Sequence, residues 1–323
     1  MNLSFIVPIY NGSRFIDGLG QNILDFHQAV EGVEFIFVND GSTDDSSEKL
    51  RQFLAEHDQS GLTYKIIDTA NGGVSRARNT ALAVATGDYA MFMDHDDNID
   101  AAKFAGLWRQ FVQSGADLMH FGCNEKYPAG DKVFTRDEFI TDFPFMSYVW
   151  AYVYRRSLME EPKLRFTEGM KYLEDGVFLL DYILRTQQVF VSNQKIYDYV
   201  DNPDSAMRAG RNPEQNRQFL DDIGLAVRSY NRLAATPAPA AVQKRLREIR
   251  DSFVFIYIVN MLKTRTDRKT LFARLNEAGY DFKLADYPSK FNQRRQVKVL
   301  CALFRSRCAL SLLAKTGLLN RVA

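Results

Sequence analysis

The sequence predicts an α/β protein with a Rossmann-like, mostly parallel sheet carrying helices on both faces, followed by a helical C-terminal region. Three observations carry that expectation. Short apolar runs alternate with helix-period segments from Leu3 to Met93, the pattern of βα units joined by right-handed crossovers. Each of these runs stops at a polar turn rather than fading out. From about Pro213 the pattern changes to apolar residues at helical spacing, with no further strand signal.

The elements follow in order. Leu3 to Ile9 reads as a buried strand that ends in the turn Pro8-Ile9-Tyr10-Asn11-Gly12, and a helix is expected from about Ser13 to Val30. Val33 to Val38 is a second strand, closed by Asn39-Asp40-Gly41-Ser42-Thr43-Asp44, in which Ser42 or Thr43 is expected to cap the next helix. Tyr64 to Asp68 is a third strand. The tight loop Asn71-Gly72-Gly73 then leads into a helix from Ser75 to Ala85, with Gly87 expected as its C-terminal cap. Tyr89 to Met93 is a fourth strand, and it delivers Asp94-His95-Asp96-Asp97. Ligands of parallel sheets bind at the carboxyl ends of the strands, so Asn11, Asp40, Asn71 and the acids from Asp94 are expected on one rim.

Adjacent carboxylates raise each other's pKa unless a cation or hydrogen-bond donors compensate. Oxygen ligands of this kind suit Mg²⁺ or Mn²⁺, which are often held by one or two carboxylates together with substrate phosphates. The competing reading is a solvated acidic turn capping a helix from about Asp100. The Gly72-Gly73 loop, with Arg76 and Arg78 on the following helix, suits a phosphate cradle or an ordinary turn with solvated arginines. The dinucleotide and Walker-type glycine signatures are absent, which disfavours those sites.

The composition is 46% hydrophobic and 25% charged over 323 residues, which fits a soluble globular chain long enough for a second, smaller unit. Cys123, Cys301 and Cys308 have neither disulfide-framework nor zinc spacing, so a reducing compartment is expected. The N-terminus reads as a strand with no signal peptide. The longest apolar run, Phe253 to Leu262, is about half of what a bilayer crossing needs. Net charge is +1, but the stretch from Tyr287 onward carries +8 without one acid, leaving −7 elsewhere. That asymmetry suggests an anionic surface as partner. Apolar residues mixed with these cations from Val297 to Leu319 suit an interfacial helix, or a helix packed on the catalytic domain or a second copy.

Six motifs in register resemble the family 2 inverting glycosyltransferases of the GT-A fold. They are Pro8-Ile9-Tyr10-Asn11, Asn39-Asp40-Gly41-Ser42-Thr43-Asp44, Gly73-Val74-Ser75-Arg76-Ala77-Arg78-Asn79, Asp94-His95-Asp96, the stretch from Val149 to Arg156, and the stretch from Phe166 to Glu174-Asp175. The resemblance covers residues 1 to about 210. It implies that Pro8, Tyr10 and Asn11 line the base and ribose, and that Asp40 accepts from the uracil ring. Asn71 and Arg78 would hold the nucleotide, Asp94 would face the ribose or the metal, and Asp96 would ligate Mn²⁺ or Mg²⁺ at the diphosphate. Asp175 would be the general base, although on its own it reads as a first-turn helix acid. Ser205 and Arg208 are candidates for a stretch that in the family can close over the diphosphate, the alternative being a plain surface loop. Tyr152 stands where the family often has Lys.

The expected arrangement is a GT-A catalytic domain over 1–212 and a helical domain with a basic amphipathic tail over 213–323. The expected activity is transfer of a hexosyl or N-acetylhexosaminyl group from a UDP-sugar to a glycan or lipid-linked acceptor in surface polysaccharide synthesis. The expected place is the cytoplasmic face of the membrane, held there by the tail. A homo-oligomer is compatible with this reading, and nucleic acid is not an expected partner. The alternatives are a nucleotidyltransferase, for which Asn11-Gly12-Ser13-Arg14 is a poor signature, and an inactive carbohydrate-binding scaffold of the same fold.

Overall fold

The computed structural model describes residues 1–57, 61–122, 130–161, 163–200, 211–284 and 295–316, the side chains of 295–297 excepted. The elements of the first part are β1 (Leu3–Ile9), α1 (Ile16–Ala29), β2 (Val33–Asp40), α2 (Ser46–Glu56), β3 (Thr63–Thr69), α3 (Val74–Val84), β4 (Tyr89–Phe92), β5 (Asn98–Ile99), α4 (Ala101–Ser114) and β6 (Leu118–Gly122). They continue with β7 (Lys132–Thr135), α5 (Arg136–Asp142), β8 (Tyr152–Arg155), α6 (Ser157–Glu160), α7 (Glu174–Ile183), β9 (Gln188–Lys195) and β10 (Tyr197–Asp198). Five helices follow: α8 (Pro213–Ala234), α9 (Ala240–Lys263), α10 (Arg268–Glu277), α11 (Arg295–Phe304) and α12 (Arg307–Thr316).

Among the described residues, eight strands form one sheet in the order β3-β2-β1-β4-β8-β6-β9-β7. The first four are mutually parallel, as expected, while β8 runs antiparallel to both β4 and β6. Every residue of β1 and β2 is buried, so both faces of the sheet's centre are covered, which is why these strands read as continuous apolar runs. Aromatic side chains fill the core: Phe5 meets Phe26 edge-on at 4.7 Å, and Phe166 stacks on Phe178 at 4.0 Å. Burying a side chain of this size contributes roughly 1.5–3 kcal/mol.

One carboxylate inside this sheet is structural. Glu34 on β2 is 8% exposed and accepts from Ser4 Oγ, from the backbone and hydroxyl of Thr86, and from Lys65 Nζ. Burial opposes its charge, and the donors overcome that, pulling its pKa down to about 2.

Two local expectations are corrected. Gly87 does not cap α3, whose C-cap is Ala85 in extended backbone. Its role is close approach, since a Cβ there would sit 2.6 Å from the Ser4 backbone nitrogen on β1. Neither Ser42 nor Thr43 caps α2, whose N-cap is Asp45 without a side-chain bond. Both are instead tied to Asn11: Ser42 Oγ accepts from its backbone N–H, and Thr43 donates to its side-chain oxygen. By contrast, Asp100 does cap its helix, α4, accepting from the Lys103 N–H at 3.0 Å.

The chain divides into two compact units. One comprises Met1–Arg136, Ser147–Met170 and Glu174–Arg208; the other comprises Asp137–Met146, Lys171–Leu173 and Ala209–Ala323. In the second unit α8 begins with a capping box formed by Asn212 and Gln215, with Pro213 in its first turn. Asp222 on α8, fully buried, accepts from the backbone N–H groups of Lys171 and Tyr172. The expected tail helix is two helices, α11 and α12, separated at Arg305 and Ser306. Cys301, Phe304 and Leu310 are buried, while Val299 and Leu312 are exposed, so much of the apolar stripe packs within the helical unit. Among the described residues no helix is long and apolar enough to cross a membrane.

Candidate active site

Parallel pairing places the carboxyl ends of β1 to β4 on one rim, and β8 begins there because it runs the other way. After β1, Tyr10 is 47% exposed. Asn11 adopts left-handed backbone at φ 49°, a region that Asn tolerates better than most residues. Its Oδ1 accepts from the Thr43 N–H at 2.8 Å, and the Gly12 N–H donates to Ser46 Oγ at 2.8 Å, which laces the first two loops together. Gly12 also seats the ring of His95, whose Cδ2 would be 2.4 Å from a Cβ there.

Asp40, at the end of β2, is 4% exposed. Its two carboxylate oxygens accept from the N–H groups of Gly72 and Gly73, each at 2.8 Å, and its carbonyl accepts from Asn71 Nδ2 at 3.0 Å. Asp40 therefore shapes the Asn71–Gly73 loop, and each oxygen keeps a lone pair for a further donor.

The acids after β4 separate by environment. Asp94 has 34% of its side chain exposed and accepts from Arg78 Nη2 at 3.1 Å. Asp96 is partly exposed. Asp97 is 3% exposed and accepts from the Tyr197 hydroxyl at 2.7 Å and the Val200 N–H at 2.8 Å. Burial first, with Asp94 and Asp96 adding to it, pushes its pKa up to about 7 against those two donors. Tyr197 also accepts from the Asp94 N–H at 3.3 Å, so it fixes both ends of the acidic turn. The sequence reading missed this tie because Tyr197 reaches the turn only when β10 pairs with β5.

Arg78 on α3 is the hub of the rim. The resemblance implies that it holds the nucleotide, but its side chain is only 4% exposed and turns toward three carboxylates. Nη1 lies 2.7 Å from Asp175 and 3.6 Å from Glu174, and Nη2 donates to Asp94. Its guanidinium also sits over the Phe166 ring at 5.3 Å. Asn79, the neighbouring residue of the same motif, clamps Phe166 by both backbone groups, at 3.0 and 2.9 Å. That clamp positions the chain leading to α7, a role the sequence reading did not assign.

Glu174 and Asp175 open α7. Burial, then the neighbouring Asp175, raise the Glu174 pKa to about 8 against the pull of Arg78. Burial also raises Asp175, opposed by Arg78, by the Val149 N–H and by a hydrogen bond from Glu174. Burial therefore raises both members of the pair, the Asp94 charge adds to it at Asp175, and Arg78 opposes it on each. Beside it runs an aromatic ladder: exposed Tyr148 stacks on Trp150 at 5.1 Å, and Trp150 stacks on Tyr197 at 4.2 Å. Tyr152 is 1% exposed and stacks on His120 at 4.2 Å, so it presents nothing to the rim. Ser205 and Arg208 lie outside the described residues.

Asp94 and Asp96 offer oxygen donors only, and among the described residues no group of three or more His, Cys, Asp or Glu could hold a metal alone. This donor set fits a hard divalent cation completed by ligand phosphates rather than a closed protein cage.

The fold and its rim define an α/β protein with a buried arginine organising carboxylates at the strand exits. The family model described as "Glycosyl transferase family 2" matches residues 4–176, and the chain belongs to that family. It is 30% identical over 247 residues to "Uncharacterized glycosyltransferase EpsJ" of Bacillus subtilis, covering 71% of this chain and 70% of EpsJ. It is 23% identical over 205 residues to "Poly(ribitol-phosphate) beta-N-acetylglucosaminyltransferase TarS" of Staphylococcus aureus, covering 62% of this chain but only 35% of TarS. Residues 1–349 of TarS, solved in complex with UDP-GlcNAc, share the fold at a TM-score of 0.71 and 19% identity, over 99% of this chain and 91% of that one. The mannosyltransferase PcManGT of Pyrobaculum calidifontis, in complex with GDP-Man and Mn²⁺, gives 0.56 at 15% identity, over 99% and 86%.

Proposed function

We propose that the protein is a metal-dependent inverting glycosyltransferase. In this reading it moves a hexosyl or N-acetylhexosaminyl group from a UDP-sugar to a hydroxyl of a glycan or lipid-linked acceptor during surface polysaccharide assembly. The observation that carries the reading is Arg78, which ties Asp94 at the donor-side rim to Asp175 at the start of α7. A leaving-group site and a base are thereby fixed in one frame. The TarS complex with UDP-GlcNAc supports the choice of donor class.

In the mechanism, Pro8, Tyr10 and Asn11 line the nucleoside, and the Asp40-shaped loop carrying Asn71 closes its other side. Ser205 and Arg208, in a loop beyond the described residues, would complete the diphosphate site. A divalent cation, Mn²⁺ or Mg²⁺, held by Asp96 and Asp94 with the donor's phosphates, would neutralise charge on the departing diphosphate. Asp175 takes the proton of the acceptor hydroxyl as its oxygen bonds to the anomeric carbon and the bond to the diphosphate breaks on the opposite face. Glu174, hydrogen-bonded to Asp175, holds it in place. Tyr148, exposed and backed by the buried Trp150, offers an aromatic face for an acceptor sugar beside that base.

Membrane association through the basic C-terminal helices, at the cytoplasmic face, belongs to the same proposal. Its support is the +8 charge from Tyr287 onward. The test of the enzyme reading is UDP release from a panel of UDP-sugars with Mn²⁺, Mg²⁺ or chelator. Release from one donor that stops on chelation is expected, and no release from any donor under any condition overturns the reading.

A further inference from the structure

The helical unit contains an open cavity of about 490 Å³ between α10 and α12. Three cations line it, Arg268, Arg307 and Lys315, all exposed, and its lining includes no acid. None of the three has a carboxylate partner among the described residues. The nearest acid in sequence, Asp267, already accepts from the Thr270 N–H as the cap of α10. Arg307 is held in place by the Phe282 ring, 4.9 Å from its guanidinium carbon, rather than by a counter-charge. The rest of the lining is Phe272, Cys308, Ser311 and Leu312, of which Leu312 is 62% exposed.

We propose that this cavity seats the headgroup of an anionic phospholipid, with Leu312 entering the bilayer interface beside it. The proposal rests on the membrane reading above and makes it specific. Diffuse attraction by a basic tail needs no cavity, whereas here three cations without a carboxylate partner among the described residues line one concavity that an anionic headgroup would fill. Charge complementarity selects an anionic occupant. Phe272 and exposed Leu312 in the same lining select a lipid over free phosphate, because a soluble ion gains nothing from either. Arg268 is outside the tail, on α10, so the seat joins two elements that the charge count alone would not connect.

The test uses the full chain and vesicles of phosphatidylcholine with or without phosphatidylglycerol. Parent protein should sediment with the anionic vesicles only. Arg268→Glu should weaken that partitioning by at least about tenfold, since even one basic residue near a charged surface contributes measurably and reversal counts twice. Lys132→Glu, on exposed β7, changes net charge equally and should cost far less. Cys308 lines the same cavity and is exposed, whereas Cys301 is buried. Its alkylation, mapped by peptide mass, should slow when anionic vesicles bind and should not slow with inorganic phosphate. Unchanged melting and UDP release in Arg268→Glu exclude misfolding.

Equal loss in Arg268→Glu and Lys132→Glu overturns the seat and leaves diffuse membrane binding standing, as does an unprotected Cys308 on bound vesicles. Protection by phosphate alone overturns the lipid as occupant. No vesicle binding by the parent overturns the membrane reading and the seat together. Self-association of the parent that Arg268→Glu abolishes without lipid assigns the cavity to a second copy instead, and so overturns the proposal.

Discussion

Arg78 meets Asp175 in a 2.7 Å ion pair that spans 97 residues of sequence, and the same guanidinium holds Asp94. A planar fork can bond two carboxylates at fixed angles, which a lysine ammonium cannot reproduce. Arg78→Lys should therefore keep the fold while transfer falls, by roughly 10²-fold for a misplacement of the order of 1 Å. Arg78→Ala should in addition lower thermal stability, because removing one partner from a buried pair costs about 3–5 kcal/mol. Steady-state kinetics and melting curves on both variants check this, and parental transfer in Arg78→Lys would exclude a bridging role.

Asp175 is the residue on which the proposed chemistry turns. Asp175→Asn keeps the shape and can still accept from Arg78, but it cannot take a proton. Transfer should drop by at least about two orders of magnitude, the usual contribution of a positioned base. UDP-sugar affinity should stay near parental. Loss of donor binding instead would move Asp175 from the proton-transfer step to the donor site.

Asp96 is separable from packing because its side chain is partly exposed at the strand exit. Asp96→Ala should fold normally and lose the part of UDP affinity that depends on Mn²⁺. Calorimetric titration of UDP with and without the metal measures that part directly. A metal-dependent gain of the same size in the variant and the parent would rule out Asp96 as a ligand.

The legible parts of the fold were those written as unbroken local pattern. β1 was readable to the residue, because a strand buried on both faces has no exposed position to blur its ends. The convergence of Asn11, Asp40, Asn71 and Asp94 followed from parallel topology alone. Non-local ties were not readable. Gly87 looked like a helix cap, since Gly after a helix is a common stop signal, yet its constraint is the approach of β1. The run from Ser42 to Asp45 offers several competent caps, and the tertiary bonds to Asn11 decide among them. The tail's apolar stripe looked the same whether lipid or protein covered it, and Phe304 and Leu310 turn out to be covered by protein. Asp97 needed Tyr197, 100 residues away, before it had any assignment distinct from its neighbours.

Glu174 yields a pH signature. Its pKa rises from an ordinary value of 4.5 to about 8, through burial and then Asp175. Between those values the unfolded chain has released the proton while the folded chain still holds it. The folded state binds more protons there, so this group's contribution to stability falls as pH rises through that window. Glu174→Gln preserves shape and a donor toward Asp175 but has no proton to lose. Its melting temperature should therefore gain on the parent's progressively from pH 5 to pH 8. Transfer should fall less than in Asp175→Asn, because the amide can still donate to the base. Melting temperatures of the two proteins that run parallel across that range would show that Glu174 ionises normally in the fold.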